Sequence, residues 1–250
     1  TLPSKNLRST LSVADNFSGI LTVVTINEFI SDLSNSKTEA IIPSVKIEGK
    51  INKGKKMDNI KESNPNTKLT FDTLGYFKNN KLKGYLTTNE SVGYNFLANV
   101  AKENYVNVKC DSKNYATLKL VNNNFKEKLY YENNNPIINI ETKINADLLE
   151  YNCKTDFLID DKVIKKLEIK AKNRVNTLMS EAIDKLYVKE KVDVLKYAEK
   201  FYSKKYKETK KLGYKNKDIL NKISFKFNTN VRIKSTELSI KSVRKENSYE

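Results

Sequence analysis

KLTFDTLGYFKNNKLKGYLTTNESVGYNFLANV, residues 68–100, parses as a β-hairpin that runs directly into a helix. Leu69, Phe71, Leu74 and Phe77 supply an apolar, β-favouring run. Asn79-Asn80 tolerates the positive φ of a tight hairpin turn. Leu82, Tyr85 and Leu86 carry the return strand past Gly84. Thr87 and Glu90 have the T-x-x-E spacing of a capping box, in which hydroxyl and carboxylate satisfy the first free amides of a helix. Val92, Phe96, Leu97 and Val100 follow at helical spacing. Gly84 in a strand and Gly93 in a helix each cost about 0.5–1 kcal/mol relative to alanine. Close approach of another backbone, or a local packing need, accounts for such glycines.

Upstream, residues 1–18 lack periodicity and read as a polar lead-in. Ile20–Thr25 is a candidate strand, and Asn27–Leu33 a short helix with Ile26, Phe29, Ile30 and Leu33 on one face. Ile41, Val45, Ile47 and Ile51 alternate with Lys46, Glu48 and Lys50, the pattern of a half-buried strand. A polar loop, 54–66, leads into the hairpin, whose helix closes a first unit near Asn104.

Downstream the pattern changes to strands separated by asparagine-rich turns. Ala116–Val121 is expected to pair across Asn122–Asn124 with Phe125–Tyr131. Asn133–Asn135 makes the next turn, and Pro136 opens a long strand with Ile138, Ile140, Thr142, Ile144 and Ala146 on one face. Asp160–Val188 is the longest helix, its stripe Ile164, Leu167, Ala171, Val175, Leu178, Ala182 and Leu186 suited to lie on a sheet. Asp193 is a candidate N-cap for a second helix, Val194–Lys211, presenting Leu195, Ala198, Tyr202 and Tyr206, with Gly213 as its stop. Ile223–Ile240 closes the chain as a strand bent around Asn228–Asn230, before a polar tail. The fold class is therefore α+β: mainly antiparallel sheets with helices packed on one face, in at least two domains, 43–105 and 106–250, with 1–42 ahead of them.

The composition narrows the function. A chain of 250 residues with 14 Tyr and 10 Phe can bury a real core. No apolar run approaches the roughly 18–20 residues of a membrane span. The net charge of +16 comes from 42 lysines and only four arginines. Lysine scattered among asparagines suits an indifferent solvated surface, whereas readers of bases and phosphates favour the planar arginine fork. The excess is uneven, with 25 basic against 13 acidic residues in 160–250, a balance that would suit anionic headgroups.

Histidine is absent, which removes the commonest general base and metal ligand. Cys110 and Cys153 lack the spacing of a zinc or redox motif. Buried thiols are their default, and a bridge would need their two strands to be neighbours. Asp160-Asp161 is better placed to complement a helix dipole than to act as an acid/base pair, because successive helix positions point about 100° apart. No catalytic residue, metal site or cofactor is indicated.

The spacing G-Y-F-x-x-x-x-L-x-G-Y-L-x-x-x-E-x-x-G, from Gly75 to Gly93, resembles the signature of the C subunit of GerA-type spore germinant receptors. Its marker residues here are Phe77, Leu82, Gly84, Leu86, Glu90 and Gly93, with structural or partner-contact roles. Ile41-Ile42-Pro43 resembles the entry to that family's middle domain, and the meander, long helix, Asp193-led helix and final strand resemble its C-terminal domain. The family's tryptophans after the second helix are missing, with Tyr214 in their neighbourhood, and Glu237 stands where the family often has glycine. The resemblance implies that 1–42 is the remnant of an N-terminal domain. It implies a non-enzymatic lipoprotein, held by a lipid anchor upstream of this chain at the outer face of the spore inner membrane. Its partners would be the integral-membrane A and B subunits, and no nucleic acid. The alternative is a polyanion- or nucleic-acid-binding protein that uses the lysine-rich last segment.

Overall fold

Two asparagine pairs fold the chain back on itself. Asn79 and Asn80 take φ of 50° and 63°, and Asn133 and Asn134 take 50° and 65°. Positive φ at both central residues matches the right-handed twist of the flanking strands, which is why each pair makes a two-residue hairpin. The computed structural model describes residues 19–35, 38–54, 66–101, 103–110, 113–153, 161–214 and 216–236. The lead-in 1–18, most of the loop 54–66, Asp160 and the chain after 236 lie outside them.

The first sheet has the order β1-β2-β3, built from β1 (Ile41–Gly49), β2 (Thr67–Lys78) and β3 (Lys81–Tyr85). A helix, α1 (Ile26–Ser34), precedes it, a single turn, α2 (Ile51–Gly54), follows β1, and α3 (Thr88–Leu97) follows β3. The second sheet has the order β4-β5-β6-β7, from β4 (Asn104–Lys109), β5 (Tyr115–Glu132), β6 (Asn135–Tyr151) and β7 (Ser224–Thr236). All neighbours are antiparallel except β6 and β7. A parallel neighbour demands a crossover. Here α4 (Asp161–Ile183), a π-helical turn (Asp184–Lys189), α5 (Tyr197–Lys204), α6 (Tyr206–Lys211) and a 3-10 turn (Asn216–Asn221) supply it. The helices thus cover one face of the second sheet.

The core forms where periods of two and 3.6 meet. Ile138, Ile140, Ile144, Ala146 and Leu148 of β6 are buried beside Leu118 and Leu120 of β5, and Leu167, Ala171, Val175, Leu178 and Ala182 are buried on α4, with Leu186 on the π-helical turn after it. Each such leucine or isoleucine contributes roughly 1.5–3 kcal/mol. The same buried cluster takes in Leu74, Tyr76, Leu86, Phe96 and Leu97 of the first sheet and α3.

Several elements differ from expectation. Ile20–Thr25 pairs with no strand among the described residues; Asn95 Nδ2 donates to the Gly19 carbonyl (2.8 Å), Leu21 is buried, and Thr25 caps α1. Side chains rather than a ladder anchor it. The β1 strand forms, but only Ile41 at its start is buried, and Val45 and Ile47 are 47% and 54% exposed. Ile51 begins the helical turn after it.

The expected hairpin at Asn122–Asn124 is one continuous strand with a register shift between Val121 and Asn124. Its pairing with β6 outweighs the turn preference of asparagine. The second helix breaks at Lys205 (φ −132°). Thr209 bonds back to the Lys205 carbonyl (2.8 Å) and meets the Tyr131 hydroxyl (2.8 Å), tilting α6 onto the sheet and leaving Tyr206 54% exposed. Strand β7 keeps one register from Ser224 to Ile233, without a bend at Asn228–Asn230.

Candidate functional site

The Gly75–Gly93 element is held by interactions that its own residue types dictate. Phe77 is half-buried, and its ring meets Phe29 of α1 edge-on, with centroids 5.1 Å apart. Leu82 pairs with it across the hairpin and is 48% exposed. At Gly84 a Cβ would stand 2.7 Å from the Tyr76 hydroxyl, so this phenol lies across the strand where the side chain is missing. Leu86 is buried, and its amide donates to the Leu74 carbonyl (2.8 Å). Glu90 closes the capping box: its carboxylate accepts from the Thr87 amide (2.7 Å), and its amide donates to the Thr87 hydroxyl (3.3 Å). At Gly93 a Cβ would lie 1.9 Å from the Leu178 carbonyl oxygen and 3.1 Å from the Ala182 Cβ. The glycine is therefore the crossing point of α3 and α4, and its reason is close backbone approach.

The hairpin docks on the π-helical turn. Its wide ring lets the Glu190 amide reach the Lys185 carbonyl (3.1 Å) and the Val192 amide reach that of Leu186 (2.8 Å). Lys78 Nζ donates to the Glu190 carbonyl (2.5 Å), and Lys185 lies over the Tyr76 ring, 5.5 Å from its centroid. Lys185 and Glu190 pair at 3.1 Å. Their mutual hydrogen bond holds the ammonium above its ordinary range and the carboxylate below. Burial pushes the Tyr76 hydroxyl up.

A second cluster lies behind that turn. Asp193 is fully buried. Its Oδ1 accepts from the Tyr187 hydroxyl (3.0 Å) and the Tyr197 amide (2.8 Å), and its Oδ2 from the Ala198 amide (2.8 Å). Its own amide donates to Glu39 Oε2 (2.7 Å), and the Leu195 amide donates to the Tyr187 hydroxyl (3.0 Å). The expected cap is present, but it reaches the helix from outside, because Lys196 takes a left-handed φ of 60° immediately before α5. Glu39 stands 154 residues away in sequence from Asp193, and no local signal foretold it. Burial raises the Asp193 carboxyl above its usual range; its three donors pull it back, and nearby Glu39 adds to the rise.

A raised carboxyl pKa means that the folded state holds its proton more tightly than the unfolded chain. Stability from this group is full below the unfolded value of 3.8 and declines as pH rises through the higher folded value. Asp193→Asn removes that decline and leaves one helix amide facing an NH₂, at a cost of about 1–2 kcal/mol. The expected result is a wild-type advantage in urea that narrows as pH rises above 3.8. A constant or widening gap would show that the carboxyl is not held as described.

Between α1, the end of α3, β5 and the 194–200 segment lies an open groove of about 840 Å³. Its charges are already matched, with Lys196 to Asp32 (2.6 Å) and Lys200 to Glu127 (2.8 Å), while Glu28 caps α1 by accepting from the Thr25 amide (2.8 Å). Among the described residues, no group of three or more Cys, Asp or Glu is arranged to hold a metal ion. Asp161 sits in the first turn of α4, as a dipole partner would.

Cys110 and Cys153 form a disulfide with Cα atoms 5.8 Å apart. Their strands are not neighbours: β5 lies between β4 and β6, and the bridge crosses just beyond the strand ends. Adjacency of the strands is thus not required. Lys170 of α4 donates to the Cys110 carbonyl (3.0 Å) and ties the bridge to the helix layer.

Comparison with known proteins gives two matches. The family model for spore germination B3/GerAC like, C-terminal, matches residues 72–237. The crystal structure of the GerBC protein superposes with a TM-score of 0.65 at 18% identity, over 86% of this chain. This likeness shows a shared fold, and the chain spans 65% of the length of that structure. No curated protein sequence matches the chain.

Proposed function

Because the chain belongs to the spore germination B3/GerAC-like family, we propose that it serves as the C subunit of a nutrient germinant receptor, working through protein–protein contacts without catalysing a reaction. What carries this reading is the use made of the signature itself. Gly84, Leu86, Glu90 and Gly93 are spent on a strand crossing, core packing, a helix cap and a helix crossing. The hairpin they fix presents Leu82 and Tyr85, 48% and 57% exposed, to the surroundings. In this reading the receptor's integral-membrane A and B subunits are the partners, 43–105 and 106–250 are its middle and C-terminal domains, and 1–42 belongs to an N-terminal one. The protein would work at the outer face of the spore inner membrane, held there by a lipid anchor. The Cys110–Cys153 bridge supports that side of the membrane, since disulfides persist in oxidising compartments.

A photo-crosslinking residue at Leu82 or Tyr85, in the assembled receptor, tests the proposal. Adducts to an A or B subunit are expected from both hairpin positions, with none from Ile169 on the exposed side of α4. An absence of adducts at the hairpin would refute it as the contact surface.

A further inference from the structure

The two short helices after Asp193 carry a charge that the fold does not neutralise. From Lys196 to Lys211 the sequence has seven lysines and two acids, Glu199 and Glu208. Lys196 and Lys200 are committed to Asp32 and Glu127, and Lys204 lies 4.0 Å from the same Glu127. Among the described residues, Lys205, Lys207, Lys210 and Lys211 have no ion pair. On α6, Lys207, Lys210 and Lys211 stand three and four positions apart and share one face. Thr209, buried against Tyr131, fixes the opposite side of this helix toward the sheet. Tyr206 is 54% exposed on the same turn, with Lys210 over its ring at 5.6 Å.

We infer that this α6 face is a docking surface for an anionic lipid bilayer. The proposal goes beyond the receptor reading and does not rest on it. Attraction to headgroups asks only for point charges near a surface, which lysine supplies, each worth roughly a fivefold gain in partitioning. Recognition of nucleic acid would draw on arginine forks, and this patch has none. A tyrosine among lysines is the amphipathic side chain that settles at headgroup depth, ring inward and hydroxyl wet. The disulfide adds a separate argument: an oxidising compartment offers lipid as the extended polyanion rather than nucleic acid.

Co-sedimentation of the 250-residue chain with phosphatidylcholine vesicles, with and without phosphatidylglycerol, tests this. Binding is expected only to the anionic vesicles, and it should weaken with added salt. The K207Q/K210Q/K211Q variant should lose on the order of a hundredfold in partition coefficient. K162Q/K165Q/K166Q, on exposed positions of α4, makes the same change in net charge and should bind nearly as the wild type does. Unchanged urea midpoints would show that both variants fold. Equal losses in the two variants would mean that net charge alone drives binding, and would overturn the proposal. Equal recovery with neutral vesicles would overturn it too, as would duplex DNA bound as tightly through the same three lysines. None of these outcomes touches the hairpin crosslinks, so the two readings fail separately.

Discussion

Gly93→Ala is expected to destabilise the protein by at least about 3 kcal/mol. The added methyl would lie 1.9 Å from the Leu178 carbonyl oxygen and 2.6 Å from its carbon. Those atoms belong to the backbone of a 23-residue helix and cannot rotate away. Relief requires α3 and α4 to separate, which opens the packing of buried Phe96 and Leu97 on the core. The loss is a large fraction of the 5–15 kcal/mol typical of a domain. The usual gain of about 0.5–1 kcal/mol from replacing a helical glycine is far too small to offset it. Urea unfolding measures the difference. Gly84→Ala supplies the contrast, because its nearest neighbour is the tip of Tyr76, which can shift, so a cost of about 1–2 kcal/mol is expected there. Removing the Ala182 methyl in a Gly93→Ala background should restore little, since the closest contact is to main chain. A Gly93→Ala protein as stable as the wild type would show that the helices do not cross at this point.

Removing the disulfide should cost about 4 kcal/mol. The bridge joins residues 43 apart, and closing a loop of that length in the unfolded chain carries an entropy worth about that much. The bridge also pins the far ends of β4 and β6, where Lys170 bonds the Cys110 carbonyl from the helix layer. The double variant C110S/C153S should unfold at a markedly lower urea concentration than the oxidised wild type. Reduced wild type should match the variant, and adding reductant to the variant should change nothing. A wild type indifferent to reductant would mean that the folded state holds these ends without help.

Much of the fold was legible because it is local. The hairpin turns at Asn79-Asn80 and Asn133-Asn134 follow from two adjacent residues that accept positive φ. The Thr87–Glu90 box needs four residues, and the α4 stripe needs only the helical period. Where local preference met a long-range partner, the partner won. The asparagines at 122–124 read as a turn, yet the ladder to β6 carries the strand through them with one bulge. The Val194–Lys211 period reads as one helix, yet Tyr131, 78 residues before Thr209, sets where α6 lies. Val45 and Ile47 alternate like a buried face, but among the described residues nothing buries them, and they stay 47% and 54% exposed.

The candidate site divides along the same line. Awkward glycines at 84 and 93 were visible as such; that one makes room for a phenol and the other for a carbonyl was not. Asp193 was readable as a cap, but its link to Glu39 was not. By itself the sequence determined the locally encoded elements, the signature and the absence of histidine chemistry, because these rest on residue identity and on neighbours within about four positions. Only the tertiary structure decided the Cys110–Cys153 bridge, the Gly93 crossing and the unpaired lysine face of α6. Each of those depends on which distant side chains arrive, or fail to arrive, at one place.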